Sequence, residues 1–120
     1  EEAIYASIDA LRIKPNYEEV ENIIDEVFPK AIRKHHKKIE KLKSDKKDFY
    51  WDKIVDELKI LKDLKLALED LDHKNSQIWL SKAGIRNYRS EINIAKKNAA
   101  EGHYQKALIH IISLLLFPLY

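Results

Sequence analysis

A chain of 120 residues is long enough for one domain and too short for two, which excludes a multidomain enzyme. Apolar residues make up 45% of the chain and charged residues 35%, whereas Gly and Pro together number only five, so turn-rich β-sandwiches and barrels are disfavoured. The net charge is only +2, and the absence of cysteine excludes a disulfide framework and a cysteine-held zinc or iron–sulfur site.

Apolar residues recur at helical spacing from the first residues onward, and prolines and polar runs interrupt the pattern. The spacing predicts a short first helix that ends before Pro15 and a second helix that Asn16 opens. A third helix is predicted to begin at residues 28–30, because proline suits the first turn of a helix. A polar loop at residues 44–48 then precedes the longest periodic segment, which Asp48 can cap.

The second half of the chain predicts three more helices. Ser76 can cap a short helix that Gly84 ends in the left-handed conformation, and Ser90 can start another that Gly102 closes. The final helix is predicted from His103 to Phe117, and its Leu and Ile residues occupy nearly every side, so we expect it to be the central buried element. The sequence therefore predicts an all-α, compact single-domain bundle of about six helices over residues 1–120.

No signal peptide is evident, and the most apolar stretch, residues 107–120, falls short of the roughly 20 residues that span a bilayer. We therefore expect a soluble cytoplasmic protein. Methionine is absent even at position 1, so we expect amino-terminal residues of the full protein to be missing.

Charge is concentrated in one segment. Residues 30–47 contain nine basic and two acidic residues, a net charge of +7. Such a density attracts polyanions, although a lysine-rich, solvated helix face with acidic neighbours would give the same pattern.

Residues 43–53, KSDKKDFYWDK, join four lysines to three consecutive aromatic residues at a helix start. Lysines can bind phosphate, and an aromatic face can stack on a base. The alternative is that Phe49 and Trp51 belong to the core and the lysines only solubilise, and for Trp51 the periodicity favours the core.

A second candidate lies in residues 79–89. Arg86 and Arg89, three residues apart, could bind one phosphate together, or they could be two arginines on a surface turn. We expect Trp79 to be partly buried with one exposed edge, which leaves open whether it is a stacking platform or a core residue.

The histidines and carboxylates do not form a recognisable catalytic or metal-binding set. Adjacent His35 and His36 point about 100° apart on a helix, which disfavours a shared metal ion and favours phosphate contact or solvent exposure. His110 is expected to be a satisfied core histidine. No Gly-rich phosphate loop is present. We therefore expect neither a bound metal nor catalysis by the chain alone.

Two segments resemble the carboxy-terminal domain of the large, noncatalytic subunit of archaeal and eukaryotic primases. Residues 28–39, FPKAIRKHHKKI, are similar to the family's Phe-Pro-Pro-Cys segment and the basic helix after it. Residues 102–108, GHYQKAL, are similar to its His-Tyr-Gln-x-Ala-Cys motif, which opens the last helix of the domain. Ala31 and Leu108 replace the cluster cysteines of the family, so the chain resembles a small, cluster-free form of this domain.

The resemblance implies a noncatalytic subunit that helps to hold an initiating nucleoside triphosphate and the single-stranded template. Its partners would be the small catalytic and the large primase subunits, in a heterotrimer, with ATP or another nucleoside triphosphate as ligand and no resident cofactor. In the family the triphosphate contacts follow the first basic helix, which here corresponds to residues 43–53. The candidate nucleotide-binding and DNA-binding residues are Arg33, His36, Lys43, Lys46, Lys47, Tyr50, Lys53, Trp79, Arg86 and Arg89.

Two other function classes remain open. Residues 101–107 also resemble the helix-turn-helix of repeat adaptors, which would make the chain a helical interaction module, although such folds need about three repeats. A small helical ribonuclease that uses His103 or His110 is the third hypothesis.

Overall fold

The computed structural model describes residues 1–116, which form five α-helices and no strand. This confirms the prediction of a single all-α domain, with one helix fewer than the six expected. The helices are α1 (Glu2–Ile13), α2 (Glu18–Asp45), α3 (Tyr50–Leu71), α4 (Ser76–Lys82) and α5 (Tyr88–Leu116).

Helix α2 continues through Pro29, so the prediction of a separate third helix at residues 28–30 is wrong. Proline inside a helix removes one hydrogen bond and costs about 3 kcal/mol. Phe28 and Ile32 on either side of Pro29 are both fully buried, and the apolar surface that they bury offsets this cost. The helix ends at Asp45, and the next residue, Lys46, has a left-handed φ of 49° and donates its backbone N–H to the carbonyl of Leu42.

The ends of the other helices are partly as predicted. Gly84 has a φ of 72° just after α4, which confirms its left-handed conformation. Phe49, not Asp48, precedes the first residue of α3, and its φ is 60°. Helix α5 is preceded by Asn87, whose side-chain oxygen accepts a hydrogen bond from the Ser90 backbone N–H at 3.2 Å. Gly102 does not interrupt α5, so its two predicted helices are one.

Helix α3 is the centre of the fold, because it packs against each of the other four helices. It contributes Ile54, Leu58, Leu61, Leu64 and Leu68 to the core, each at most 2% exposed. Helix α5 packs against α3 through its first half, where Tyr88, Ile92 and Ala95 are buried. This pairing brings the middle of α5 beside the start of α3.

The second half of α5 projects from this body, and the prediction that the last helix is the central buried element is wrong. Residues 101–116 are all exposed, with Leu115 at 74% and Leu116 at 66%, and the molecule measures 71 × 23 × 22 Å. Helix α3 begins only at Tyr50 and supplies no partner further along α5. His110 is exposed for the same reason, and Phe117 lies outside the described residues. Within residues 1–116, no helix has an apolar stretch long enough to cross a membrane.

Exposure of the α5 end predicts that polar substitutions there leave the fold stable. We expect Ile112→Glu and Leu115→Glu each to change the free energy of unfolding by less than about 0.5 kcal/mol, as exposed positions do. Urea unfolding of the monomeric protein measures the change. A loss of more than about 2 kcal/mol, typical of a charge placed in a core, would contradict the exposed position of this segment.

Candidate nucleotide-binding site

Two segments far apart in the sequence line one cleft of about 190 Å³. Residues 46–52 approach it from the α2–α3 connection and the start of α3, and Gly102, His103 and Lys106 approach it from the middle of α5. We call this the α3–α5 cleft. It contains residues from both the lysine-rich aromatic segment and the GHYQKAL segment identified in the sequence.

The wall of the α3–α5 cleft is aromatic. The Phe49 ring stacks on the His103 ring with centroids 5.1 Å apart and an interplanar angle of 25°. Beside this pair, Tyr50 and Trp51 form a tilted pair at 5.2 Å, and both are half-buried. Phe49 remains 48% exposed, so part of its surface is free to contact a planar ligand.

The cationic groups around the α3–α5 cleft exceed its anionic groups. Lys106 Nζ lies 4.1 Å from the Phe49 ring centroid and 3.4 Å from an Asp48 oxygen. His103 Nε2 lies 2.9 Å from Asp52 Oδ1, so both aspartates of the cleft, Asp48 and Asp52, already have a partner on α5. Lys46 and Lys47 form no ion pair with any carboxylate in residues 1–116, and their charges remain available to an anion.

Two lysines of the same segment lie outside the α3–α5 cleft. Lys43 lines a neighbouring apolar cleft with Trp51, Ile54 and Ile94, and its Nζ is 3.9 Å from Glu40. Lys53 is exposed on α3 and does not line either cleft. Only part of residues 43–53 therefore faces the site.

His36 belongs to a second cluster, which joins α2 to the start of α5. Its Nε2 lies 2.7 Å from the hydroxyl of the buried Tyr88. Burial, together with the nearby Arg86 charge, lowers the pKa of His36 and favours its neutral form. Burial likewise raises the pKa of Tyr88. Neutral His36 packed against Tyr88 fits a structural contact between helices better than a phosphate contact.

The structure gives the two candidate arginines different neighbours. Arg86 Nε is 3.3 Å from Glu91 Oε2, close enough for an ion pair although the N–H is not aimed at the oxygen. Arg89 lines a separate cleft with Lys62 and Lys65 of α3. The two arginines are therefore not positioned to bind one phosphate together.

Arg33 lies on a basic stripe along the exposed face of α2, with Lys30, Lys34 and Lys37. The stripe follows helical spacing, and Lys30 is paired with Glu26 at 3.1 Å. Arg33 precedes Lys46 by 13 residues, which corresponds to about 20 Å along the helix. Arg33 therefore cannot share a phosphate group with Lys46.

Trp79 is only 3% exposed, so the prediction of a partly buried ring with one free edge is wrong. One face of the indole stacks on His73 at 5.0 Å, with an interplanar angle of 22°. His73 in turn hydrogen-bonds the carbonyl of Pro15. A base cannot stack on this face of Trp79 without displacing His73, which lies in the α3–α4 connection and is bonded to Pro15.

His35, expected to contact phosphate or solvent, is buried in an ionic network instead. Its Nδ1 lies 2.5 Å from Glu57 Oε2 and its Nε2 lies 2.5 Å from Glu1 Oε1. Lys38 Nζ lies 2.6 Å from the other Glu57 oxygen. Burial opposes ionisation of Glu57, but the hydrogen bonds from Lys38 and His35 outweigh it and lower the pKa of Glu57. The network ties α2 to α3 and contacts no cleft lysine.

Sequence reasoning did not place His103 and Lys106 beside the lysine-rich aromatic segment, whereas the structure places both in the α3–α5 cleft. The signal was present, because both belong to the segment that carries the primase resemblance. Among residues 1–116, no three His, Asp or Glu side chains are arranged to hold a metal ion. Comparison with protein-family models, curated proteins and solved structures gives no match for this chain.

Proposed function

We propose that this chain is a noncatalytic accessory subunit of a DNA primase, similar to PriX, the third subunit of the Sulfolobus-type archaeal enzyme. It would bind the initiating nucleoside triphosphate and the single-stranded template beside the small catalytic and large subunits. One observation carries the proposal. Residues 46–52 and residues 102–106, which the resemblance connects with triphosphate binding and with the last helix, meet in the α3–α5 cleft.

The side chains of the α3–α5 cleft suit a nucleotide. Lys46 and Lys47 can neutralise phosphate oxygens, because neither forms an ion pair within residues 1–116. Phe49 is 48% exposed, so the part of its ring that His103 and Lys106 leave uncovered can contact a base. A bound triphosphate held near the attacking 3′-hydroxyl needs no further acid or base from this chain, since fixed proximity alone lowers a bimolecular barrier by several kcal/mol.

Charge reversal at the cleft tests the proposal. We expect Lys46→Glu/Lys47→Glu to weaken ATP binding at low salt at least tenfold and to impair primer initiation by the reconstituted primase. For single-stranded DNA, the logarithm of the binding constant falls with the logarithm of salt concentration. The slope of this line should become less steep by about 1.4, because two phosphate contacts disappear. Fluorescence anisotropy and a dinucleotide-formation assay measure these effects.

Lys14→Glu/Lys74→Glu is the matched control. It changes the net charge equally, and both side chains are exposed near the opposite end of α2, about 40 Å from Lys46. Equal losses in both variants would mean that total charge, not the cleft, attracts the ligand. Unchanged ATP binding and initiation in the cleft variant would refute the proposal. RNA hydrolysis that is lost in His103→Ala would instead favour the ribonuclease hypothesis.

A second candidate function is a helical protein-interaction module, which the exposed end of α5 favours. Residues 107–116 contain no charged side chain and expose seven Leu and Ile residues. A helix that is apolar on all sides is typical of a buried element. If primase subunits co-purify with the wild type and are lost with Ile112→Glu/Leu115→Glu while ATP binding persists, this segment serves subunit assembly and the cleft keeps its separate role.

A further inference from the structure

A second cleft lies at the other end of the α3–α5 pair. Its volume is about 380 Å³, and three cationic side chains line it from two helices, namely Lys62 and Lys65 of α3 and Arg89 of α5. We call it the Arg89 cleft. No carboxylate in residues 1–116 pairs with Lys62 or Arg89. Lys65 is only loosely paired, with its Nζ 3.8 Å from Glu69, the one acidic residue of the lining.

The charge in the Arg89 cleft selects an anion. Three cations against one carboxylate leave a net charge of +2 in a concave surface, which raises the local concentration of anions. The planar guanidinium of Arg89 can bind two phosphate oxygens at once, and the two lysines can add point charges. The ligand therefore carries phosphate or a similar diffuse anionic group.

The apolar residues of the Arg89 cleft favour the backbone of a nucleic-acid strand over a free nucleotide as its ligand. Tyr88 is only 1% exposed and its hydroxyl is turned to His36, so the cleft offers no free aromatic face to a base. Leu66, 43% exposed, is the remaining apolar contact. This composition contrasts with the α3–α5 cleft, where Phe49 is half exposed. Phosphate contact without stacking is typical of binding to a nucleic-acid backbone.

The separation of the two clefts fits one short strand. Trp51 lines the first and Lys65 the second, and the 14 residues between these positions on α3 correspond to about 21 Å. A stacked strand that rises about 3.4 Å along its axis per nucleotide covers this distance with about six nucleotides. Lys59 of α3 and Lys96 of α5 are exposed at intermediate positions.

We propose that Lys62, Lys65 and Arg89 form a phosphate-binding site for the backbone of single-stranded nucleic acid, distinct from the α3–α5 cleft. One part of this inference rests on the proposed function, namely that the same strand also reaches the α3–α5 cleft. Binding at both sites makes the second contact intramolecular, so affinity should rise sharply once the strand reaches both.

Oligothymidylates of different length test this inference on the full chain. The wild type should bind a dodecanucleotide at least tenfold more tightly than a trinucleotide. We expect Arg89→Glu and, separately, Arg89→Gln to remove most of this length-dependent gain and to leave ATP binding unchanged. A glutamate near the start of α5 is favourable to the helix, and circular dichroism checks that both variants fold. Lys14→Glu is the matched control and should keep the gain.

The outcomes separate this inference from the proposed function. If Arg89→Glu keeps the gain while Lys46→Glu/Lys47→Glu loses ATP affinity, the second site is refuted and the proposed function stands. If Arg89→Glu loses strand affinity while the cleft variant keeps ATP affinity and initiation, the backbone site stands and the proposed function fails. Loss of ATP binding in both Arg89 variants would refute a distinct second site.

Discussion

Glu57→Gln is expected to lower the free energy of unfolding by about 3 kcal/mol, because it removes the central charge of a buried network. The Glu57 side chain is 7% exposed and binds His35 and Lys38 through its two oxygens. A glutamine keeps the size but presents an amide N–H₂ where one of the two donors now meets an oxygen, and it leaves Lys38 without its carboxylate partner. Urea unfolding at pH 7 measures the loss.

The effect of Glu57→Gln should depend on pH. Because folding lowers the pKa of Glu57, its stabilising contribution is present above the ordinary value of 4.5 and is lost as the pH falls below it. The difference between wild type and variant should therefore shrink on acidification. Asp56→Asn is the control, since Asp56 is the exposed neighbour of Glu57, and it should change stability by less than about 0.5 kcal/mol. Equal effects of both substitutions at pH 7 would contradict the network.

Phe28→Ala is expected to lower the free energy of unfolding by about 3 to 5 kcal/mol, as truncation of a buried aromatic residue does. Phe28 is fully buried next to Pro29, where the sequence suggested a helix boundary. The large loss follows from the continuous α2, in which Phe28 and Ile32 face the core on both sides of the proline. Thermal and urea unfolding measure the loss.

Phe49→Ala makes the same substitution at a position in the α3–α5 cleft. We expect it to change stability little and to weaken ATP binding. Phe49 is 48% exposed, and both phenylalanine and alanine are disfavoured at its φ of 60°, so a loss of about 1 kcal/mol or less is expected. Its ATP affinity should fall several-fold, because a base loses its aromatic contact. A Phe49→Ala protein that is as destabilised as Phe28→Ala would make Phe49 a core residue and remove the aromatic wall from the site.

The helical class and the core stripes of this fold were predictable because they depend on local periodicity. Ile54 and Leu58 lie on such a stripe, and both are buried as the spacing indicates. The continuity of α2 through Pro29 was not predictable, because it depends on tertiary packing that outweighs the local cost of proline. Gly102 was predicted to end a helix, but α5 continues through it, so a glycine in a helical pattern does not by itself mark a helix end.

The largest error concerned the end of α5. Apolar residues on all sides of a helix indicate burial, but they do not say whether the surrounding surface comes from the same chain. Here α3 covers only the first half of α5, and Leu115 stays exposed. The apolar pattern was read as a central buried helix, and that placement was wrong.

The candidate site was predictable as a region and not as a set of side chains. The lysine-rich aromatic segment does line a cleft, but Lys53 faces away and Trp79 is buried against His73. His35 was expected to contact phosphate or solvent because it and His36 point in different directions, which disfavours a shared metal ion. Its position three residues after Ile32 and four before Ile39 places it on the buried stripe, and this spacing could have identified it.

The most direct test of the central claim is to locate a bound nucleoside triphosphate. Crystals of the chain soaked with ATP should show the phosphates beside Lys46 and Lys47 and the adenine near Phe49, in the α3–α5 cleft. Backbone amide shifts in solution should move in the same residues at the same ligand concentrations. Triphosphate density found only elsewhere, together with unchanged shifts at residues 46–50 and 102–106, would contradict the account.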